Sequence, residues 1–185
     1  MKTDIVNPDQ FFRQFVLLAN NNASQIAATW SNASLYSKLW LDHKTGLVFS
    51  LAQSFGLNCS IEYWTIDAVM FKELDSEHLS NRGRYAKSLA IAVEHENNSK
   101  SSHEEINKLS IIDAPLRVLI TYAEPADQKT LLGQYAKQLQ AADTFNDFAT
   151  KRKILVIFGH LDGPTAKWAG LVYDGGEFTS LEIPN

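Results

Sequence analysis

The chain has little that would staple it, anchor it or give it a strong positive charge. Its one cysteine, Cys59, excludes an internal disulfide and lacks the companions of a zinc site. A small buried hydrophobe is the plain reading of it, and a reactive thiol is the other. No uninterrupted apolar run approaches the ~20 residues needed to cross a bilayer, and the opening MKTDIVNPDQ carries no signal-peptide core. The expectation is a soluble, cytoplasmic protein with no membrane partner. In that setting the Asn-x-Ser matches at Asn22, Asn32, Asn58 and Asn97 carry no weight.

Excess basic charge is also missing. Lys and Arg number 17 against 21 Asp and Glu, a net charge of -4, which disfavours holding nucleic acid by general attraction to phosphates. Two local basic patches stand out: Arg82, Arg84 and Lys87 in NRGRYAK, and Lys151, Arg152 and Lys153 in KRK. Both precede apolar strands, where charge serves solubility. There is no Walker loop, no G-x-S-x-G elbow and no dinucleotide fingerprint, which weakens nucleotide hydrolysis, ester hydrolysis and redox chemistry together. No repeat, proline-rich linker or low-complexity run divides the chain, so its 185 residues, 45% of them hydrophobic, are expected to form a single domain, 1–185.

Within that domain the pattern predicts a helical part over 1–56 and a mixed-sheet core over 57–185 that closes in a hairpin. Asn7 is placed to cap a helix with Pro8 at its first position, and Phe11, Phe12, Phe15 and Leu18 recur at helical spacing. A second helical stretch is expected across SLYSKLWLDHKTGLVFSLAQSFG, ending near Gly56. After it, SIEYWTIDAVMF and SLAIAVEHEN read as strands. Ser102 and Glu105 then form an S-x-x-E capping box, with Ile106 and Leu109 on one face of the helix that follows. PLRVLITYA and KILVIFGHL, apolar on both faces, read as interior strands, with a helix opening at Pro125 between them whose buried stripe is Leu131, Leu132, Tyr135 and Leu139. WAGLVYDGGEFTSLEI reads as a hairpin with Asp174, Gly175 and Gly176 at its turn. Strands joined through helices favour parallel pairing, so the fold class expected is a three-layer α/β sandwich with a central mixed sheet flanked by helices.

The chemistry concentrates in LAIAVEHENN. Alternate residues share a strand face, so Glu94 and Glu96 lie together opposite His95, about 6.6 Å apart along the strand. Asp67 sits in YWTIDAVMF among apolar neighbours, where an ionised group is costly unless paired or at a strand end. If the two strands form a hairpin, one register brings Asp67 beside Glu94. Three carboxylates would then converge, and a hard divalent cation such as magnesium relieves their repulsion, polarises a phosphoryl oxygen and acidifies a water.

An acidic residue at the start of one strand, a second apolar strand ending in E-x-E, then helix, strand and helix, resembles the PD-(D/E)XK phosphodiesterase superfamily with its restriction-endonuclease-like fold. The resemblance runs from about residue 58 to about residue 123. It implies that Asp67 is the metal-binding aspartate and Glu94 the first acidic residue of the (D/E)-x-K element. Glu96 falls on that element's lysine position, where some restriction enzymes of the superfamily also have glutamate. It further implies Mg²⁺- or Mn²⁺-dependent hydrolysis of DNA, with Asp67, Glu94 and Glu96 as ligands and catalytic residues and Glu96 orienting the attacking water. Lys72, Lys100 and Lys108 are the candidates to supply the absent motif lysine, and a second metal ion is the alternative. The rival reading is a catalytically inactive member of the same fold that binds a protein or nucleic-acid partner. A third is an unrelated α/β protein whose carboxylates do not converge.

Other residues have simpler accounts. Glu62 is read as solvent-facing rather than an outer ligand, and Glu104 and Glu105 as helix-dipole and cap residues in preference to groups supporting the carboxylates at the strand end. His95 is expected to be packed or hydrogen-bonded, and His103 to lie at the surface. Gly159, His160, Asp162 and Gly163 end a strand where α/β proteins place ligands, or simply make a turn. Trp30, Trp40, Trp64 and Trp168 are expected in the core.

Overall fold

The computed structural model describes residues 6–72, 76–79, 83–86, 88–145, 147–148 and 150–182. The chain begins with α1 (Pro8–Asn21), α2 (Ala23–Thr29), α3 (Ala33–Leu41) and α4 (Leu47–Ser54). The strands β1 (Asn58–Tyr63) and β2 (Ile66–Phe71) follow, then a small hairpin of β3 (Ser76–Leu79) and β4 (Gly83–Ala86), and then β5 (Ile91–Glu96). Next come α5 (Ser102–Ile111), β6 (Leu116–Tyr122), α6 (Pro125–Ala142), β7 (Lys153–Asp162), β8 (Thr165–Tyr173) and β9 (Phe178–Ser180). Seven strands form one sheet in the order β1-β2-β5-β6-β7-β8-β9, while β3 and β4 pair apart from it. Strands β5, β6 and β7 run parallel and the outer pairs antiparallel, so the sheet is open and mixed. Among the described residues no helix is long and apolar enough to cross a membrane.

The first helix starts as its sequence dictates. The Asn7 side chain accepts the Asp9 N–H at 2.9 Å, Gln10 returns a bond to the Asn7 N–H, and Pro8 occupies the first turn. Phe11, Phe12 and Phe15 are fully buried against the sheet. The expected second helix is instead two, α3 and α4, because Asp42 breaks it: its carboxylate takes the N–H groups of Lys44 and Thr45 and the Thr45 hydroxyl. Gly46 completes the corner. A Cβ there would sit 2.6 Å from the Trp40 carbonyl oxygen. Helix α2 falls within the helical part expected over 1–56, whereas the β3–β4 hairpin was not expected and SIEYWTIDAVMF is two strands, β1 and β2, rather than one.

Two cores flank the sheet. One joins α1 to α4 to Ala68, Met70, Ile91, Val93, Val118 and Ile157. The other joins α5 and α6 to Val69, Ala92, Leu119, Val156 and Phe158. The arrangement is compatible with a three-layer sandwich. β7 and β8 meet at Gly163, whose φ of 60° suits a residue without a side chain. Gly159, His160 and Asp162 are paired residues of β7 itself, with Asp162 exposed, and of the four only Gly163 lies in the turn. The closing hairpin is β8–β9, with the Asp174 carboxylate accepting the Gly176 and Glu177 N–H groups.

Helix α5 is fastened at both ends, which matters for the site it covers. Ser102 near its start bonds the hydroxyl of Tyr135 on α6. Near its end the buried Arg117 guanidinium donates to the Leu109 carbonyl at 2.9 Å and to the Arg152 carbonyl at 2.7 Å, while lying 4.5 Å over the Phe148 ring. Burial, together with the charge of Arg152, lowers its pKa to about 10, well within the charged range at neutrality.

Phe15 tests the helical layer. It stacks on Trp40 at 5.1 Å and meets Trp168 edge-on at 4.9 Å. Phe15→Ala is expected to lower the unfolding free energy by about 3–5 kcal/mol, read from the shift in urea midpoint. A loss below ~1 kcal/mol would mean that α1 does not pack on the sheet as described.

Candidate functional site

The register between β2 and β5 pairs Met70 with Ile91, Val69 with Ala92 and Ala68 with Val93, running antiparallel. One step further, Asp67 faces Glu94, and there the backbone ladder gives way to side chains. The Asp67 N–H donates to Glu94 Oε2 at 3.3 Å, and the His95 N–H donates to Asp67 Oδ2 at 2.8 Å. The two acids therefore stand in for backbone carbonyls where the strands part. Both point to the α5 side, the side of Val69 and Ala92.

Glu94 is 0% exposed, a costly place for a charge. Burial, followed by the nearby charges of Asp67 and Glu105, pushes its pKa well above the ordinary carboxylate range. Burial raises Asp67 as well, against the lowering effect of the His95 N–H. The cation that moderates this cluster is Lys108 on α5. Its ammonium lies 3.4 Å from Glu94 Oε1 and forms a close ion pair with Glu105. Burial lowers the Lys108 pKa, but the two carboxylates outweigh it and leave the group raised.

The capping box is not formed, and that corrects the reading of Glu105. Ser102 lies inside the helix, its hydroxyl on the Ser99 carbonyl and on Tyr135, and the N-cap residue, Ser101, makes no side-chain cap. Glu105 is buried on the strand-facing side of α5 beside Ile106 and Leu109. Glu96 stays apart from the acid pair: its carboxylate accepts the Asn98 N–H at 2.6 Å at the end of β5. Of the three lysines that sequence offers, Lys108 reaches the acids; Lys100 is exposed and Lys72 half-buried just after β2. Among the described residues no three His, Cys, Asp or Glu side chains are gathered so as to hold a metal ion. The oxygen donors of Asp67, Glu94 and Glu105 are of the kind that magnesium or manganese takes. In this conformation, however, the charge beside Glu94 and Glu105 is an ammonium.

His95 points to the opposite face, as expected. Its Nε2 pairs with the Tyr122 hydroxyl at 2.7 Å, and its ring sits among Tyr36, Trp40 and Tyr122. Burial lowers its pKa to about 3, so it is neutral across the physiological range. Trp40 and Trp168 are buried and Trp30 packs on them partly exposed, but Trp64 is 89% exposed at the β1–β2 turn, correcting the expectation that it is core. Glu62 is exposed, His103 is exposed with Nδ1 on the Lys100 carbonyl, and Cys59 is partly buried, its thiol pushed up to about 12 by burial. Arg82, Lys87 and the Arg84 side chain lie outside the described residues. In the second basic stretch Lys151 pairs with Asp147 and Arg152 lies over Phe148. No family model and no curated protein matches this chain.

What sequence reasoning missed is the joint role of Glu105 and Lys108. The signal was their spacing of three on a helix that turns Ile106 and Leu109 inward, which places both at the edge of the buried face.

Two pH dependences follow from the two faces of β5. Glu94 gains a proton more readily in the fold, so its contribution is fully present below the unfolded value of about 4.5 and is lost as pH rises toward the raised folded value. Glu94→Gln is expected to remove that alkaline decline when unfolding free energies are compared at pH 5 and pH 8. An unchanged decline would place the titration elsewhere. His95 has the opposite sense: stability is complete above pH 6.5 and falls in acid until about pH 3, at up to about 1.4 kcal/mol per pH unit. His95→Gln should flatten that limb in chemical denaturation between pH 6.5 and pH 4, and a limb of unchanged slope would refute the assignment.

Proposed function

We propose that this chain is a metal-dependent phosphodiesterase of restriction-endonuclease-like build that cuts DNA. The observation that carries the reading is that an antiparallel β2 brings Asp67 opposite Glu94 while α5 returns over them and sets the Lys108 ammonium 3.4 Å from Glu94. The motif lysine that position 96 lacks is thus supplied from the helix. Asp67 and Glu94 would hold Mg²⁺ or Mn²⁺, with Glu96 joining them by releasing the Asn98 N–H. The ion, when bound, supplies Lewis acidity toward a phosphoryl oxygen and an acidified water.

The protein's own contributions are definite. Asp67 is aimed by the His95 N–H, and Glu94 by the Asp67 N–H, so neither carboxylate swings freely. Lys108 holds its proton firmly and offers a fixed positive charge to a scissile phosphate as negative charge builds on it. Glu105 orients that ammonium from the same helix.

A second reading, a non-catalytic member of the fold that binds a protein or nucleic-acid partner, has one specific support. Lys108 already neutralises the acids, and the net charge of -4 does not favour DNA.

Incubation of the purified protein with plasmid and single-stranded DNA plus Mn²⁺ decides between them. Cleavage is expected from the wild type, abolished in Asp67→Ala and slowed by about a hundredfold or more in Lys108→Met. Cleavage that persists in Asp67→Ala would come from a contaminant, and a wild type that cuts neither substrate leaves the binding-module reading.

A further inference from the structure

The β1–β2 turn is built against backbone preference. Trp64, in the turn, and Glu62, just before it in β1, both lie in the left-handed region, at φ 58° and 54°. A bulky residue at positive φ is an outlier where glycine or asparagine would be relaxed, and such strain is held where a side chain has a use. The result is an indole that is 89% exposed and lies nearly parallel to the ring of Tyr63, 5° between planes and 5.9 Å between centroids. Tyr63 is itself held by its hydroxyl, which accepts the Ala86 N–H.

This aromatic pair walls a cleft of about 450 Å³ that also takes in Ser88, Leu89, Ile112 and Asp113. Its described lining is mostly apolar, with the Asp113 carboxylate and the hydroxyls of Thr65 and Ser88 among it. The cleft adjoins the acid site along two elements: Ile66, another wall residue, directly precedes Asp67, and Ile112 lies one helical turn beyond Lys108.

We propose that this cleft receives one unpaired nucleobase bearing an exocyclic amino group, from a single strand whose backbone passes Lys108. The inference rests on the nuclease reading and names its substrate: single-stranded or locally opened DNA. Three features select that occupant. A free π-face stacks any base without needing a partner strand, whereas the faces of paired bases in a duplex are closed. The volume suits a single nucleotide rather than a double helix. The Asp113 carboxylate complements an amino edge, present on adenine, cytosine and guanine and absent from thymine. Lys108 is then placed to meet the phosphate of the same strand.

The test is fluorescence anisotropy on the full chain, in EDTA at low salt so that nothing is cut, with labelled oligo(dA), oligo(dT) and a duplex. Wild type is expected to bind oligo(dA) more tightly than either of the others. Trp64→Ala should weaken oligo(dA) by about tenfold, and Trp64→Phe, which keeps a π-face, should retain most of the affinity. Asp113→Asn should narrow the gap between oligo(dA) and oligo(dT). Trp64 is a surface residue, and circular dichroism of each variant checks that its fold is intact. Equal oligo(dA) affinity in Trp64→Ala and wild type overturns the proposal, as does a wild type that binds neither strand. The two ideas fail separately. Trp64-dependent binding with no cleavage in Mn²⁺ keeps the cleft and loses the nuclease, and cleavage without Trp64-dependent binding does the reverse.

Discussion

The structure turns on a place where two strands stop exchanging backbone hydrogen bonds. Between β2 and β5 the ladder runs to Ala68 and Val93, and beyond it the Asp67 carboxylate takes the His95 N–H while the Glu94 carboxylate takes the Asp67 N–H. A buried N–H without a partner costs about as much as a lost hydrogen bond, so the acids are held in place by the needs of the backbone they serve. This explains how two acids come to be neighbours inside an apolar sheet. Each has a structural bond to make, and Lys108 supplies the counter-charge.

The helix that brings Lys108 is positioned by interactions remote from the acids. Arg117 satisfies the Leu109 carbonyl at the end of α5 and ties it to the Arg152 carbonyl before β7, while Ser102 ties the start of α5 to α6. Ile106 and Leu109 pack down on the sheet between these fastenings. With both ends fixed, Glu105 and Lys108 have little choice about which strand they overlie. An ion pair three residues apart on an exposed helix contributes a few tenths of a kcal/mol. Here the same pair faces a fully buried Glu94, and the interaction is correspondingly less screened by solvent.

What the sequence made legible follows a physical line. Local signals read true where one residue settles the matter: Asn7 and Pro8 start α1, Asp174 closes the β8–β9 hairpin, and the two-sided apolar runs of β6 and β7 are interior strands. The Asp67–Glu94 juxtaposition was reachable too, because alternation fixes faces and one antiparallel register joins the acids, although β3 and β4 intervene where a direct hairpin was expected. Failures came where one side chain had two partners to choose between. Asp42 bonds its own turn and splits a helix, and Glu105 abandons a cap for a lysine one turn along. Glu96 takes the Asn98 N–H instead of joining its neighbour, although strand parity puts it on the correct face. Trp64 defeats composition altogether, since a tryptophan's apolar bulk says core and only the tertiary turn at positive φ puts it outside.

The two faces of β5 show how a single strand serves two environments. Glu94 meets an acid site on one side and His95 an aromatic layer on the other, with one peptide unit between them. Each is pushed toward its neutral form by burial, yet the pushes act in opposite directions on the pH scale, because a carboxyl loses charge by gaining a proton and an imidazole by losing one. Low pH penalises the histidine side and high pH the glutamate side, so the strand is most secure in between. The same backbone bond that aims Asp67 comes from His95, and the aromatic layer that keeps this imidazole buried therefore also steadies the carboxylate across the sheet. The α1–α4 layer thus supports the acid site through the geometry of one strand, without touching it.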